Sequence, residues 1–237
     1  MSSGRFAGVD RPPMILAIGR NYAAHAAEMG GDRPAHPMVF AKNPAALIAD
    51  GQAIVIPPIC REGETASDDG RQVDFEGELA VIIGRDVRDV AEADALDAVF
   101  GYAAANDVSA RWWQKHGSGG QFVRGKSFDT FCPIGEIVPA DVAGDPSDWT
   151  LTTDVGGERM QTGTTADLIF PVAWLIAELS RGMTLLRGTA ILTGTPSGVG
   201  HARTPPRYLR DGDRVRVEIQ NTSGMMASVE NPVVEAN

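Results

Sequence analysis

The sequence predicts an α+β fold, a single domain built on a mixed β-sheet. Three observations predict it. Short apolar runs bounded by Gly, Pro and Asp outnumber helical patterns, the two kinds do not alternate regularly, and no repeat, low-complexity tract or long linker divides the 237 residues. Regular alternation would have pointed to a doubly wound parallel sheet instead.

Taken in chain order, residues 1–13 read as a short N-terminal tail, and one domain is expected over residues 14–237. A strand is expected at Met14–Ile18, then a helix over Tyr22–Met29 closed by Gly30 and Gly31. Strands follow at Met38–Phe40 and Ala53–Ile56, then an acidic, polar, loop-like stretch from Arg61 to Gln72. The acidic run from Val73 leads into a strand at Leu79–Ile83, and Ala91–Phe100 shows a helical pattern. His116–Gly120 is glycine-rich, and both loop-like stretches are candidates for mobile cover over a site. A helix is expected over Val172–Arg181, opened after Pro171 and stopped by Gly182, with strands at Ala190–Leu192 and Val215–Ile219.

Composition narrows the function classes. An apolar content of 43% is enough to bury a substantial core. Twenty-one basic residues against 31 acidic ones leave a net charge of −10, which repels nucleic acid over most of the surface. Met1–Pro13 lacks a signal-type apolar core and no run reaches the roughly 20 apolar residues of a membrane span, so a cytoplasmic protein is expected. Cys60 and Cys132 are too far apart for a zinc knuckle and are expected as free thiols.

Side chains two apart on a strand share a face, so Asp74, Glu76 and Glu78 are expected side by side. Carboxylates turned inward together each raise the next one's pKa, and a metal, a basic side chain or bound protons must answer the charge. Taken alone, the pattern more often marks a solvent-facing acidic strand edge. If a metal is held, oxygen ligands without cysteine or paired histidines favour Mg²⁺ or Mn²⁺, or Ca²⁺, over zinc. His25 and Glu28 share a helix face three residues apart, where the carboxylate can polarise the imidazole as a general base; alone, such a pair is ordinary surface support. The helix is short and ends at a glycine pair, so it is expected to close over bound substrate. Thr193–Gly200 offers backbone N–H groups and hydroxyls for a carboxylate, Thr195 foremost, or is a plain turn. Gly120–Ser127 fits a phosphate-loop pattern, but without the strand before and helix after that such a loop requires.

Five blocks in order, Ile18-Gly19-Arg20-Asn21-Tyr22 with His25 and Glu28, Val73–Ile83, Asn106–Arg111, Arg124–Asp129 and Leu192–Gly200, resemble the fumarylacetoacetate hydrolase family, in its short form. The likeness runs from Met14 to Val234. It implies a mixed β-roll core with short peripheral helices, assembled as a homodimer. It also implies that Glu76, Glu78 and Asp107 bind a divalent metal, Mg²⁺ or Mn²⁺ with Ca²⁺ as an alternative, and leaves Asp74 without a role. Lys126 corresponds to the family's active-site lysine, and Arg111 and Gln114 to residues that contact the substrate's carboxylate or distal oxygens; Lys42 lies near the pocket and ranks lower. Trp112 and the length of the 61–72 loop depart from the usual pattern, which makes substrate identity the least transferable property. The expected substrate is a small 2-oxo acid. With the dyad present, hydrolysis of a carbon-carbon bond in a β-diketo acid, of acylpyruvate or fumarylpyruvate type, is expected first. The alternative is oxaloacetate decarboxylation or tautomerisation, or isomerisation and decarboxylation of catechol-pathway intermediates.

Overall fold

The structure, a computed structural model, describes residues 5–61 and 72–236. In chain order its elements are β1 (Ile15–Gly19), α1 (Ala23–Glu28), β2 (Met38–Lys42), β3 (Leu47–Ile48), β4 (Ile54–Ile56), β5 (Val73–Asp74), β6 (Gly77–Ile83), β7 (Val99–Asn106) and β8 (Ser109–Ala110). There follow α2 (Arg111–Lys115), α3 (Phe122–Gly125), β9 (Cys132–Pro133), β10 (Val138–Pro139), α4 (Ala140–Ala143), β11 (Thr150–Val155) and β12 (Glu158–Thr164). The chain closes with α5 (Val172–Ser180), β13 (Ala190–Leu192), β14 (Arg214–Gln220) and β15 (Met226–Glu235).

A six-stranded sheet in the order β10-β7-β6-β13-β1-β2 packs against a five-stranded sheet in the order β12-β11-β14-β15-β4. Parallel pairs, β1 with β13 and β4 with β15, sit among antiparallel ones, so the sheets are mixed and the fold is α+β as expected. β6 shows why the sequence reads as it does. Leu79, Val81 and Ile83 face the core shared with Leu151, Val217, Ile219 and α5, while Ala80 and Ile82 face a second core with Ile15, Ala17 and Ile134. Covered on both faces, the strand is a continuous apolar run rather than an alternating one. Helix α5 begins at Pro171 and lays Val172, Leu175, Ile176 and Leu179 on the first core at helical spacing.

Two expectations fail here. Ala91–Phe100 is not a helix: it forms two short 3₁₀ turns, Glu92–Asp94 and Leu96–Ala98, and Val99 and Phe100 already belong to β7. The Ala-rich stretch before Val99 is too short to hold a helix by itself, and pairing of β7 with β6 takes its end. The acidic run is not one strand. β5 ends at Asp74, pairs with β8 and is separated from β6 by Phe75 and Glu76. The Arg61–Gln72 loop lies, apart from its two end residues, outside the described residues. Cys60 and Cys132 are free and buried, and burial pushes both thiols up to about 12, away from the thiolate form. Among the described residues no helix is long and apolar enough to cross a membrane.

Candidate active site

The break between β5 and β6 sorts the carboxylates. β6 pairs with β7 so that Glu78 lies opposite Ala105 and Gly77 opposite Asn106, which carries Asp107, just beyond β7, to the same end of the sheet. The Asp107 N–H donates to the Glu76 carbonyl at 2.8 Å, and the Glu76 N–H donates to Asn106 Oδ1 at 3.0 Å. One oxygen from each of Glu76, Glu78 and Asp107 then lies within 4.8 Å of the others, and all three side chains are buried. Asp74 turns away. Its Oδ2 accepts from Arg111 Nε at 2.9 Å and Nη2 at 2.7 Å, and it also takes the N–H groups of Gly200 and His201 at 2.8 and 3.0 Å. It anchors Arg111 and the 200–201 turn, so the expected row of three neighbouring strand carboxylates is corrected to a pair plus Asp107.

Three buried cations answer the cluster. Lys126 Nζ stands 2.6 Å from Glu76 Oε2 and 2.5 Å from Asp107 Oδ2, Lys42 Nζ 2.5 Å from Asp107 Oδ1, and Arg111 Nη2 2.6 Å from Glu76 Oε1. Among the described residues Glu78 has no such partner; its Oε2 accepts only the Gly194 N–H, at 2.7 Å. The electrostatics follow. Burial alone would raise Glu76, but Lys126 and Arg111 outweigh it and hold that carboxyl well below its usual range. Burial, then repulsion from Asp107 and Glu76, push Glu78 well above it. A fully buried carboxyl facing two others with no cation of its own is what a divalent ion would satisfy, and an all-oxygen donor set suits Mg²⁺ or Mn²⁺. The residues present therefore fit such an ion.

The cluster forms one wall of a cavity of about 230 Å³. Glu76 lines it from just before β6, Glu78 from the start of that strand, Arg111 and Gln114 from α2, Lys126 from the end of α3, Thr195 from the loop after β13, and His25 from α1. His25 Nδ1 lies 2.7 Å from Glu28 Oε1, the i, i+3 contact that helical spacing allows. The helix is seated on the site rather than held away: Tyr22 and Ala26 are buried, and Glu28 Oε2 accepts the Gly198 N–H at 2.9 Å. Asn21 fixes its start, donating to the carbonyls of Phe170 and Thr193 at 3.1 and 2.7 Å and accepting from the Phe170 N–H at 2.8 Å. Gly194 follows from that contact. Its φ is +102°, and a Cβ there would come within 2.7 Å of Asn21 Cβ.

The Thr193–Gly200 loop does bind carboxylates, but they are the chain's own. The N–H groups of Gly194, Gly198 and Gly200 go to Glu78, Glu28 and Asp74. The Thr195 hydroxyl donates to the Gly77 carbonyl at 2.9 Å and accepts from Gln161 at 2.7 Å. These N–H groups are thus committed to positioning the site instead of waiting for a substrate carboxylate. Lys126 follows the short helix α3, with turns and α2 before it rather than a strand, and is paired inside the cluster. His25, Glu76, Glu78, Arg111, Gln114, Lys126 and Thr195 line the cavity, Asp107 completes the acid cluster behind it, and Glu28 meets the site through His25. Sequence reasoning missed Asn21 as the clamp of α1, and Arg20 and Lys115, which also line the cavity. Lys42, ranked low, is a fully buried partner of Asp107. Its signal was a lone lysine closing an apolar strand.

A model of the family described as fumarylacetoacetate (FAA) hydrolase C-terminal matches residues 14–234. The chain is 44% identical over 208 residues to the oxaloacetate tautomerase YisK of Bacillus subtilis, covering 86% of this chain and 65% of that protein. It is 39% identical over 229 residues to the mitochondrial oxaloacetate tautomerase fahd2 of Xenopus laevis, covering 96% and 67%. The chain thus spans about two thirds of the length of these relatives. Among solved structures it resembles fumarylpyruvate hydrolase from Pseudomonas aeruginosa in complex with Mn²⁺ and pyruvate, with 30% identity, a TM-score of 0.80, and coverage of 95% of this chain and 91% of that one.

Proposed function

The chain belongs to the fumarylacetoacetate hydrolase C-terminal family, and from that premise we propose that it is a divalent-metal-dependent tautomerase of a small 2-oxo acid, with oxaloacetate as the substrate. The observation that carries the reading is one cavity lined by Glu76, Glu78, Lys126 and His25, with Asp107 completing the carboxylate cluster and Glu28 bonded to His25. Relatives named oxaloacetate tautomerases support this choice over the carbon-carbon hydrolysis expected from the sequence.

With Nδ1–H donated to Glu28, the His25 ring keeps its Nε2 lone pair and acts as the base that takes and returns the proton at C3. Lys126, in the wall, holds the negative charge that develops on the 2-oxo oxygen. Arg111, Gln114 and Thr195 line the side that the substrate carboxylate meets. A cation held by Glu76, Glu78 and Asp107, Mn²⁺ or Mg²⁺, would supply Lewis acidity beside the 2-oxo group. Keto–enol exchange needs no attacking water, which suits a site whose base and carboxylates are buried.

A second reading, hydrolysis of an acylpyruvate or fumarylpyruvate, is favoured by the likeness to fumarylpyruvate hydrolase; His25 would then activate water. The homodimer implied by the resemblance remains part of the proposal, with light scattering as its test. The function is tested by following enol-to-keto conversion of oxaloacetate and cleavage of acetylpyruvate and fumarylpyruvate with Mg²⁺, Mn²⁺ or chelator. Metal-dependent conversion of oxaloacetate with slow cleavage of the others supports the reading. Rapid cleavage with uncatalysed keto–enol exchange overturns it in favour of hydrolysis.

A further inference from the structure

Two cations line the cavity without belonging to the acid cluster or the dyad: Arg20 and Lys115. Arg20 follows β1 with φ of 57°, a left-handed conformation that few residues with a side chain adopt. Backbone strain of this kind gathers where a side chain is held for use. Its guanidinium lies beneath Gly31, where a Cβ would sit 2.8 Å from Nη1, so the absence of a side chain at 31 keeps its place open. Among the described residues Arg20 meets no carboxylate.

Lys115, the last residue of α2, is braced rather than neutralised. Its Nζ lies 2.6 Å from His201 Nε2, and His201 Nδ1 lies 2.6 Å from the Tyr208 hydroxyl. Burial, then Lys115 and Arg111, hold the His201 pKa below its usual value, so the neutral ring accepts from Lys115 at Nε2 and donates from Nδ1–H to Tyr208. The His201 backbone N–H is tied in turn to Asp74, which holds Arg111. Lys115 is itself pushed down, first by burial and then by Arg111 and Arg20. In a chain of net charge −10, unmatched positive charge gathered at one cavity is the arrangement that draws in an anion.

We propose that Arg20 and Lys115 form a distal carboxylate subsite, so that the cavity selects a short 2-oxo dicarboxylate over a 2-oxo acid with a neutral tail. This rests on the 2-oxo acid reading and adds to it the residues that read the far end of the substrate. A neutral acyl tail would leave both cations unmatched; a second carboxylate would take an N–H from each, and charge-assisted bonds of this kind are the stronger ones.

The test uses the Mn²⁺-loaded full chain and calorimetric binding of two ligands: difluorooxaloacetate, which has the second carboxylate and cannot enolise at C3, and pyruvate, which lacks that carboxylate. Lys115→Met and Arg20→Met should each weaken difluorooxaloacetate about 10- to 100-fold, the loss of one hydrogen bond to a charged group. Pyruvate should change by less than about 3-fold, as neither cation reaches its carboxylate end. Lys115→Arg should restore most of the dicarboxylate affinity, and melting curves would show that each variant is folded. Wild-type chain that binds pyruvate but gains nothing from the second carboxylate, or variants that lose both ligands equally, would overturn the subsite alone. Wild-type chain that binds neither ligand would overturn the 2-oxo acid reading and the subsite together.

Discussion

Replacing Lys126 by Met removes the ammonium that stands 2.6 Å from Glu76 Oε2 and 2.5 Å from Asp107 Oδ2 while keeping most of the side-chain volume. Both carboxylates are buried, so this breaks an enclosed ion cluster. Removing one partner of a buried pair costs about 3–5 kcal/mol. Lys42 and Arg111 still face Asp107 and Glu76, and a carboxyl can take up a proton, so the lower part of that range is expected. In a domain of this size each kcal/mol moves the melting temperature by roughly 2–4 °C, which puts the metal-free variant about 6–12 °C below wild type. A divalent cation should then do for the variant what Lys126 does for the wild-type chain. At one hundred times its dissociation constant a ligand stabilises by about 2.7 kcal/mol. Without the competing ammonium the variant should bind Mn²⁺ more tightly and gain more than wild type from the same addition. Melting curves in chelator and in Mn²⁺, for both proteins, give the four values needed. An unchanged melting temperature in chelator, or equal Mn²⁺ increments in the two proteins, would refute the view that Lys126 and a metal answer the same charge.

Three further outcomes follow from the site. Glu78 is raised by burial and by its acidic neighbours, so the folded metal-free chain keeps a proton that the unfolded chain releases. Metal-free stability should therefore fall as pH climbs from the ordinary carboxylate range towards the raised value, while Mn²⁺ affinity rises about tenfold per pH unit as one proton is displaced; calorimetry in buffers of different ionisation enthalpy would detect that proton, and affinity independent of pH would contradict it. Asp74→Ala should cost about 3–5 kcal/mol in urea unfolding and leave Mn²⁺ affinity within about 3-fold, because Asp74 pairs with Arg111 and not with the cluster; Asp107→Ala should abolish Mn²⁺ binding in a chain that still folds. His25→Ala should lower the turnover number for oxaloacetate by roughly 10²- to 10⁴-fold with little change in Mn²⁺ affinity, and a loss seen only in KM would mark α1 as a cover rather than the carrier of the base.

Residues whose local spacing already sets their geometry were legible in the sequence. His25 and Glu28 meet because three residues on a helix return to the same face, and Glu78 in β6 shares a wall with Glu76, which stands just before that strand and is held by Asn106 and Asp107. Asp107 could be assigned only through the family resemblance, since β6 and β7 must pair before it comes near. Asp74 was misread for a reason local to the chain. Strand phase predicted a third carboxylate in the row, but Arg111 and two backbone N–H groups offered it a better-satisfied place across β5 and β8. β7 was missed because the helical pattern expected over Ala91–Phe100 ran across its start, and Val99 and Phe100 join a strand only when β6 lies beside them. Arg20 stood only inside the first block of the resemblance, without a role, and Lys115 gave no signal: a single cation in a loop or at a helix end is ordinary until the fold aims it into a cavity.

The most direct test of the central claim is proton exchange at C3 of oxaloacetate, followed by proton NMR in deuterated buffer with Mg²⁺. The account predicts that the wild-type chain accelerates loss of the C3 signal, that chelator removes the acceleration, and that His25→Ala loses it while still binding metal. Exchange at the uncatalysed rate in the presence of Mg²⁺, from a chain that cleaves acetylpyruvate or fumarylpyruvate, would contradict the account.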